Sequence, residues 1–226
     1  MYKPSIRTIT TACLLILSSV SIVSGQDKEV IKKKGFTLTF INDDPAFPAA
    51  LKTRMIETFF NVYPKLEKEY NEKTSKEVTF VIDTAYKGVA ATGGDRVSYS
   101  PVWFQKHPED IDVVTHEIMH IVQAYGEGGG PWWVTEGIAD YVRYKFGVDN
   151  AGARWTLPAY KEGQNYDNGY RITARFLVWL EKNNSGIVKK LDKNMRDHTY
   201  TEEIWKSTTG KTLTELWNAY TLNPAI

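Results

Sequence analysis

Five consecutive residues, His116-Glu117-Ile118-Met119-His120, carry the most chemistry in this chain. Two histidines four apart fall on one face of a helix, one turn from each other. Their imidazoles can grip one metal ion together. Glu117 lies beside them, where it can take a proton from a water on that metal. The pattern H-E-x-x-H therefore points to a hydrolytic zinc site that cuts peptide bonds.

A catalytic zinc takes three protein ligands and keeps one position open. His116 and His120 supply two. The chain has one cysteine, Cys13, far from the motif. The third ligand is sought in Trp132-Trp133-Val-Thr-Glu136-Gly-Ile-Ala-Asp140-Tyr141, which follows a glycine-rich reversal. Glu136 is the candidate ligand. Asp140, one turn on, is the candidate partner for the outer N–H of a ligating histidine. The reverse assignment has the same helical spacing and stays open.

These residues need rigid elements beneath them. Phe36 to Ile41 alternates apolar and polar residues and reads as a strand. Leu51, Met55, Phe59, Val62, Leu66 and Tyr70 mark a long amphipathic helix, with a possible kink at Pro64. Val78 to Ile82 is a second strand. Gly88 to Ala91 starts a third, and Gly93-Gly94-Asp95 turns into a strand from Arg96 to Ser100. Pro108, Glu109 and Asp110 suit the first turn of the motif helix. Ile111, Val114, Ile118, Ile121 and Val122 form its apolar face, opposite His116, His120 and Gln123. Further helices are expected over 132–146 and 168–182, and a last one behind the capping box Thr212-Leu-Thr-Glu215. Strands first and helices later give an α+β fold: a small N-terminal sheet with a helix packed on it, then a helical half, with the motif helix central.

Composition bounds the rest. The chain has 226 residues, 42% of them hydrophobic, enough for a proper core. A formal net charge of +1 gives no reason to expect a nucleic-acid partner. Lys3 and Arg7 precede an uncharged run with Leu14-Leu15-Ile16-Leu17 at its centre, closed by Ser24-Gly25. That is the layout of a signal peptide over residues 1–25, cut before Gln26. The product is then secreted or periplasmic, free of the membrane and of cysteine, and held together by its core alone. Residues 26–34 are polar and read as a frayed start, and 35–226 as one domain. No coiled-coil seam suggests an obligate oligomer, so a monomer is expected.

The pair of motifs H-E-I-M-H and W-V-T-E-G-I-A-D-Y resembles the gluzincin group of zinc peptidases. More narrowly, the chain is similar to the basic secretory protein family of plants and bacteria. The residues that carry this likeness are Gly88-Val-Ala-Ala-Thr-Gly-Gly-Asp95, the motif helix, Glu136 to Tyr141, Gly169-Tyr170 with Thr173-Ala-Arg-Phe-Leu177, and Gly210-Lys-Thr with Leu216-Trp217. They cover roughly residues 35–221. The resemblance implies a secreted metallopeptidase holding one zinc ion through His116, His120 and Glu136, with Glu117 as general base. The near-neutral charge departs from the family's name and weakens any idea of an anionic target.

The oxyanion of such a reaction needs a donor besides the metal. Tyr170 is the first candidate; Tyr166, Tyr200 and His198 are alternatives. Substrate backbone is expected to pair with an exposed edge formed by Arg96, Val97, Ser98 and Tyr99, by strand addition. Trp133 is a candidate pocket wall, with helix packing as its other reading. Lys189, Lys190, Lys193 and Arg196 read as a solvated helix face. Two competing functions remain. One is a metallohydrolase restricted to glycoproteins or cell-wall peptides. The other is an exported metal-binding but inactive protein that recognises carbohydrate or protein.

Overall fold

The computed structural model describes residues 27–226. The expected signal peptide lies outside them. Five strands form one mixed sheet: β1 (Asp27–Lys33), β2 (Phe36–Asn42), β3 (Glu77–Ile82), β4 (Ala90–Gly93) and β5 (Arg96–Tyr99). Their order is β1-β2-β3-β5-β4, so β5 is interior and β4 is an edge. The central pairs β2–β3 and β3–β5 are parallel; the outer pairs β1–β2 and β4–β5 are antiparallel.

Residues 27–33, expected to fray, are instead an edge strand in full register with β2. An edge exposed on both faces needs no apolar alternation, and its lysines discourage further pairing. The hairpin turns at Lys34-Gly35, both at positive φ. Lys34 then reaches over to the first helix.

That helix, α1 (Ala49–Tyr70), packs Leu51, Met55, Phe59 and Leu66 into the core. It continues through Pro64. A proline inside a helix leaves the carbonyl four residues back without its N–H donor. Here that carbonyl is on Phe60, and Lys34 Nζ donates to it at 3.0 Å. Phe59 meets Phe80 of β3 edge-on, with ring centres 5.5 Å apart.

Two helices follow the sheet: α2 (Pro101–Lys106) and α3 (Val113–Gln123). The motif helix therefore starts later than Pro108, which lies in a turn. Asp112 precedes α3 and accepts from the backbone N–H groups of Val148 and Asp149 at 2.7 and 2.6 Å. Helix α3 packs against α1, β4 and β5. Its far end is tied down by Asn71 Nδ2, which donates to the Val122 carbonyl at 2.8 Å.

The helical half comprises α4 (Trp132–Phe146), α5 (Tyr170–Asn183), α6 (Ile187–Arg196), α7 (Glu203–Thr209) and α8 (Leu213–Leu222). Helices α4 and α5 approach closely because Gly137 faces Thr173; a Cβ on Gly137 would lie 2.3 Å from Thr173 Cγ2. Arg196 is not solvated as expected. Its guanidinium bonds the Tyr70 carbonyl and Asp192, joining α6 to the end of α1. Among the described residues no helix is long and apolar enough to cross a membrane.

Candidate metal centre

Helix α3 buries Val114, Ile118, Ile121 and Val122 on one side and turns His116, Glu117 and His120 towards a cleft of about 1310 Å³. It ends at Ala124, whose positive φ of 46° starts the reversal. Glycines then carry the turn. Gly130, at φ 156°, has no room for a Cβ, which would lie 2.8 Å from Met195. Pro131 leads into α4, whose first turns bring Glu136 and Asp140 back beside the histidines.

Three donor atoms converge there. His116 Nε2 and His120 Nε2 are 3.2 Å apart, and Glu136 Oε2 lies 3.3 and 3.6 Å from them. A tetrahedral zinc with bonds of about 2.0–2.2 Å sets neighbouring donors about 3.3–3.6 Å apart. The outer nitrogens settle the tautomers. His116 Nδ1 bonds Asp140 Oδ1 at 2.8 Å, and His120 Nδ1 bonds Gln123 Oε1 at 2.7 Å. Gln123 Nε2 donates to the Thr135 carbonyl at 2.9 Å, so its oxygen must face the ring. Both Nδ1 atoms then carry the proton, and both Nε2 lone pairs point at one spot beside a carboxylate oxygen. Three facing lone pairs repel unless a cation sits between them, so the residues present fit a zinc ion.

The same spot pulls on positive charge. Burial opposes a charged His116, yet hydrogen bonds to Asp140 and Glu136 push its pKa up to about 10. Burial opposes ionised Glu136 too, but hydrogen bonds from His116 and His120 bring it down to about 2. Asp140 bonds an outer nitrogen and stays outside the converging trio.

Glu117 is 7% exposed. Its carboxylate has one hydrogen bond among the described residues, from Thr92 Oγ1 to Oε2 at 2.6 Å. Thr92 belongs to β4, and both residues line the cleft. Neither this contact nor the role of Gln123 was read from the sequence, although Thr92 stands in the Gly88–Asp95 stretch already singled out.

Tyr170 lies with its ring nearly parallel to His116, 6.3 Å between centres and 16° between planes. Two successive positive φ angles, 74° at Gly169 and 47° at Tyr170, swing it there. A Cβ at Gly169 would lie 2.5 Å from the Trp132 ring. The field of Glu136, then partial burial, raises the Tyr170 pKa. Tyr166 packs against Trp133, and the Tyr200 hydroxyl accepts from Trp205 Nε1 at 3.1 Å; neither lines the cleft, nor does His198.

Two sequence expectations are corrected. Arg96, Val97, Ser98 and Tyr99 form no free edge, because β5 is paired on both sides; Val97 and Tyr99 are fully buried. The edge beside α3 is β4. Trp133 does not line the cleft and follows the helix-packing reading: it is 8% exposed and stacks on Trp205 at 6.1 Å, inside the helical half. Neighbouring Trp132, about 100° round the helix, is the exposed one at 58%.

The sequence matches the family model described as peptidase of plants and bacteria over residues 23–220. No curated protein matches it. Among solved structures, the fold is similar to the M1 zinc metallopeptidase from Deinococcus radiodurans, at 12% identity and a TM-score of 0.53 over 88% of this chain and 52% of that one. A variant from the same organism bound to a Tyr-Ser-Ala substrate gives 13% identity and a TM-score of 0.52, over 88% and 52% of the two chains. A two-domain M1 zinc metallopeptidase variant bound to L-tryptophan gives 14% and 0.52, over 89% and 52%. The chain spans about half the length of these structures. At such identities the likeness is one of fold.

Proposed function

Because the chain belongs to the family of peptidases of plants and bacteria, we propose that it is an exported zinc-dependent endopeptidase, with His116, His120 and Glu136 holding one zinc ion and Glu117 as general base. The observation that carries this reading is the convergence of three donor atoms, two of them on imidazoles whose outer nitrogens are already committed to Asp140 and Gln123. The basic–apolar–small pattern of residues 1–25 supports export. One continuous core through the sheet and the helices supports reading 35–226, with β1, as a single unit. The contacts of α3 with α1, α4, β4 and β5 support its place as the central helix.

When bound, zinc supplies Lewis acidity, which polarises a carbonyl and acidifies a coordinated water. Glu117, buried and held at Oε2 by Thr92, keeps Oε1 for the proton and passes it to the leaving amine. Asp140 and Gln123 fix the two imidazoles. The Tyr170 hydroxyl, kept protonated by the surrounding carboxylates, is the candidate donor to the oxyanion. The outer edge of β4 offers backbone groups to an extended substrate. The cleft is lined beyond the trio by Trp103 and Asp110, which precede α3, and by Tyr125 and Gly126, which follow it. Such a groove suits bonds within a chain rather than at its end.

The test is digestion of a diverse peptide mixture by zinc-loaded residues 26–226, beside Glu117→Gln, with products read by mass spectrometry. Cuts made by the parent and lost in the variant support the proposal. No cuts by either, with zinc bound in both, would favour a restricted substrate or a binding role.

A further inference from the structure

The cleft has a second wall that the metal chemistry does not use. It starts at Val113, about one helical turn or ~5 Å before His116, and at Asp110, which precedes α3. Asp110 organises it. Its Oδ2 accepts from Trp103 Nε1 at 3.0 Å, and its Oδ1 accepts from Arg143 Nη2 at 2.5 Å. The Arg143 guanidinium also bonds Asn150 Oδ1 at 3.1 Å and lies 4.4 Å from the Trp155 ring. On the other flank the His107 ring lies over Trp103, with centres 4.1 Å apart. One buried ion pair therefore holds two half-buried tryptophans in place on the cleft surface.

Cations border this aromatic surface. Lys106 and Arg154 both line the cleft, and both are exposed. Among the described residues neither has a carboxylate within ion-pair reach. The carboxylates around them are already engaged: Glu109 with Arg54, and Asp110 with Arg143. Arg154 also holds a positive φ of 52°, which a non-glycine residue adopts only when its surroundings enforce it. The backbone bond from Trp155 N–H to the Asn150 carbonyl closes that loop at 2.9 Å.

We propose that this wall is a substrate subsite for an acidic side chain, with Lys106 and Arg154 meeting the carboxylate and Trp103 and Trp155 covering its methylene stem. This rests on the peptidase reading for its meaning, but the binding it describes needs no catalysis.

The experiment uses zinc-loaded Glu117→Gln protein, which holds a peptide without turning it over. Matched peptides carry Glu or Gln at each position along an otherwise fixed sequence. Tryptophan fluorescence reports binding. The expected result is about two- to five-fold tighter binding of the Glu peptide at one position, as for an exposed charge pair, weakening with added salt. The preference is expected to vanish in a Lys106→Gln, Arg154→Gln double variant that retains its zinc and its melting temperature. Equal binding of Glu and Gln peptides, no binding of either, or a preference surviving the double variant would each overturn the subsite. If the parent digests peptides without acidic preference, the subsite alone fails. If acidic peptides bind through this wall but nothing is cut, the peptidase reading alone fails.

Discussion

Replacing Thr92 by valine keeps the shape of the side chain and its fit to β4 but removes the hydroxyl that holds Glu117. That hydroxyl makes a 2.6 Å bond to a carboxylate that is 7% exposed and has no other hydrogen bond among the described residues. A hydrogen bond to a charged group contributes about 1.5–3 kcal/mol. At 1.36 kcal/mol per factor of ten, its loss corresponds to a fall of about 10- to 150-fold in turnover. Misplacing a reacting group by about 1 Å costs about 100-fold, which agrees. The loss is expected in kcat rather than KM, because Thr92 orients the base and does not bind the metal. Zinc content is expected to stay at the parent value, the melting temperature to fall with the lost bond, and Thr92→Ser to recover most of the activity. The assay is steady-state cleavage of a fluorogenic peptide identified from the digest, with zinc measured on the same samples. Parent-level turnover in Thr92→Val would refute the reasoning. So would a serine variant no better than valine, since that would trace the loss to strand packing.

Other perturbations separate the remaining parts of the site. Asp140→Asn leaves the His116 outer nitrogen with a weaker acceptor and is expected to lower zinc affinity about 10- to 100-fold, measured by chelator competition. Gly137→Ala places a Cβ 2.3 Å from Thr173 and is expected to cost about 1–3 kcal/mol, read as a lower denaturation midpoint with an unchanged slope. Gly169→Ala meets the Trp132 ring at 2.5 Å and opposes the left-handed turn, so Tyr170 leaves its place over His116. Turnover is expected to fall while zinc stays bound; Tyr170→Phe is expected to do the same without loss of stability. Unchanged turnover in Tyr170→Phe would remove the hydroxyl from the mechanism.

What was legible in the sequence is what local geometry determines. His116, Glu117 and His120 are one helical turn, and Glu136 and Asp140 another, so spacing alone places each set on one face. Helices α4 and α5 and the capping box at Thr212 follow from periodicity and cap chemistry. Strand order is a long-range property, and there the sequence misled. Arg96–Tyr99 precedes α2 and α3 in the chain yet sits inside the sheet, while the edge falls to β4, a strand of the same length. Strand β1 was hidden because an edge strand covered in lysine looks like a polar leader. Trp132 and Trp133 are adjacent, and only the packing of α7 shows which one turns inward. Contacts such as Thr92 to Glu117, 25 residues apart, leave no mark in spacing.

The most direct measurement is X-ray absorption at the zinc edge on the zinc-loaded protein, with metal stoichiometry, compared with Glu136→Gln. The expected result is one zinc per chain with two histidine nitrogens and a carboxylate oxygen at about 2.0–2.2 Å, and a changed coordination shell and weaker binding in the variant. A zinc bound with an unaltered spectrum in Glu136→Gln, or no zinc retained by the parent, would contradict the site built from His116, His120 and Glu136.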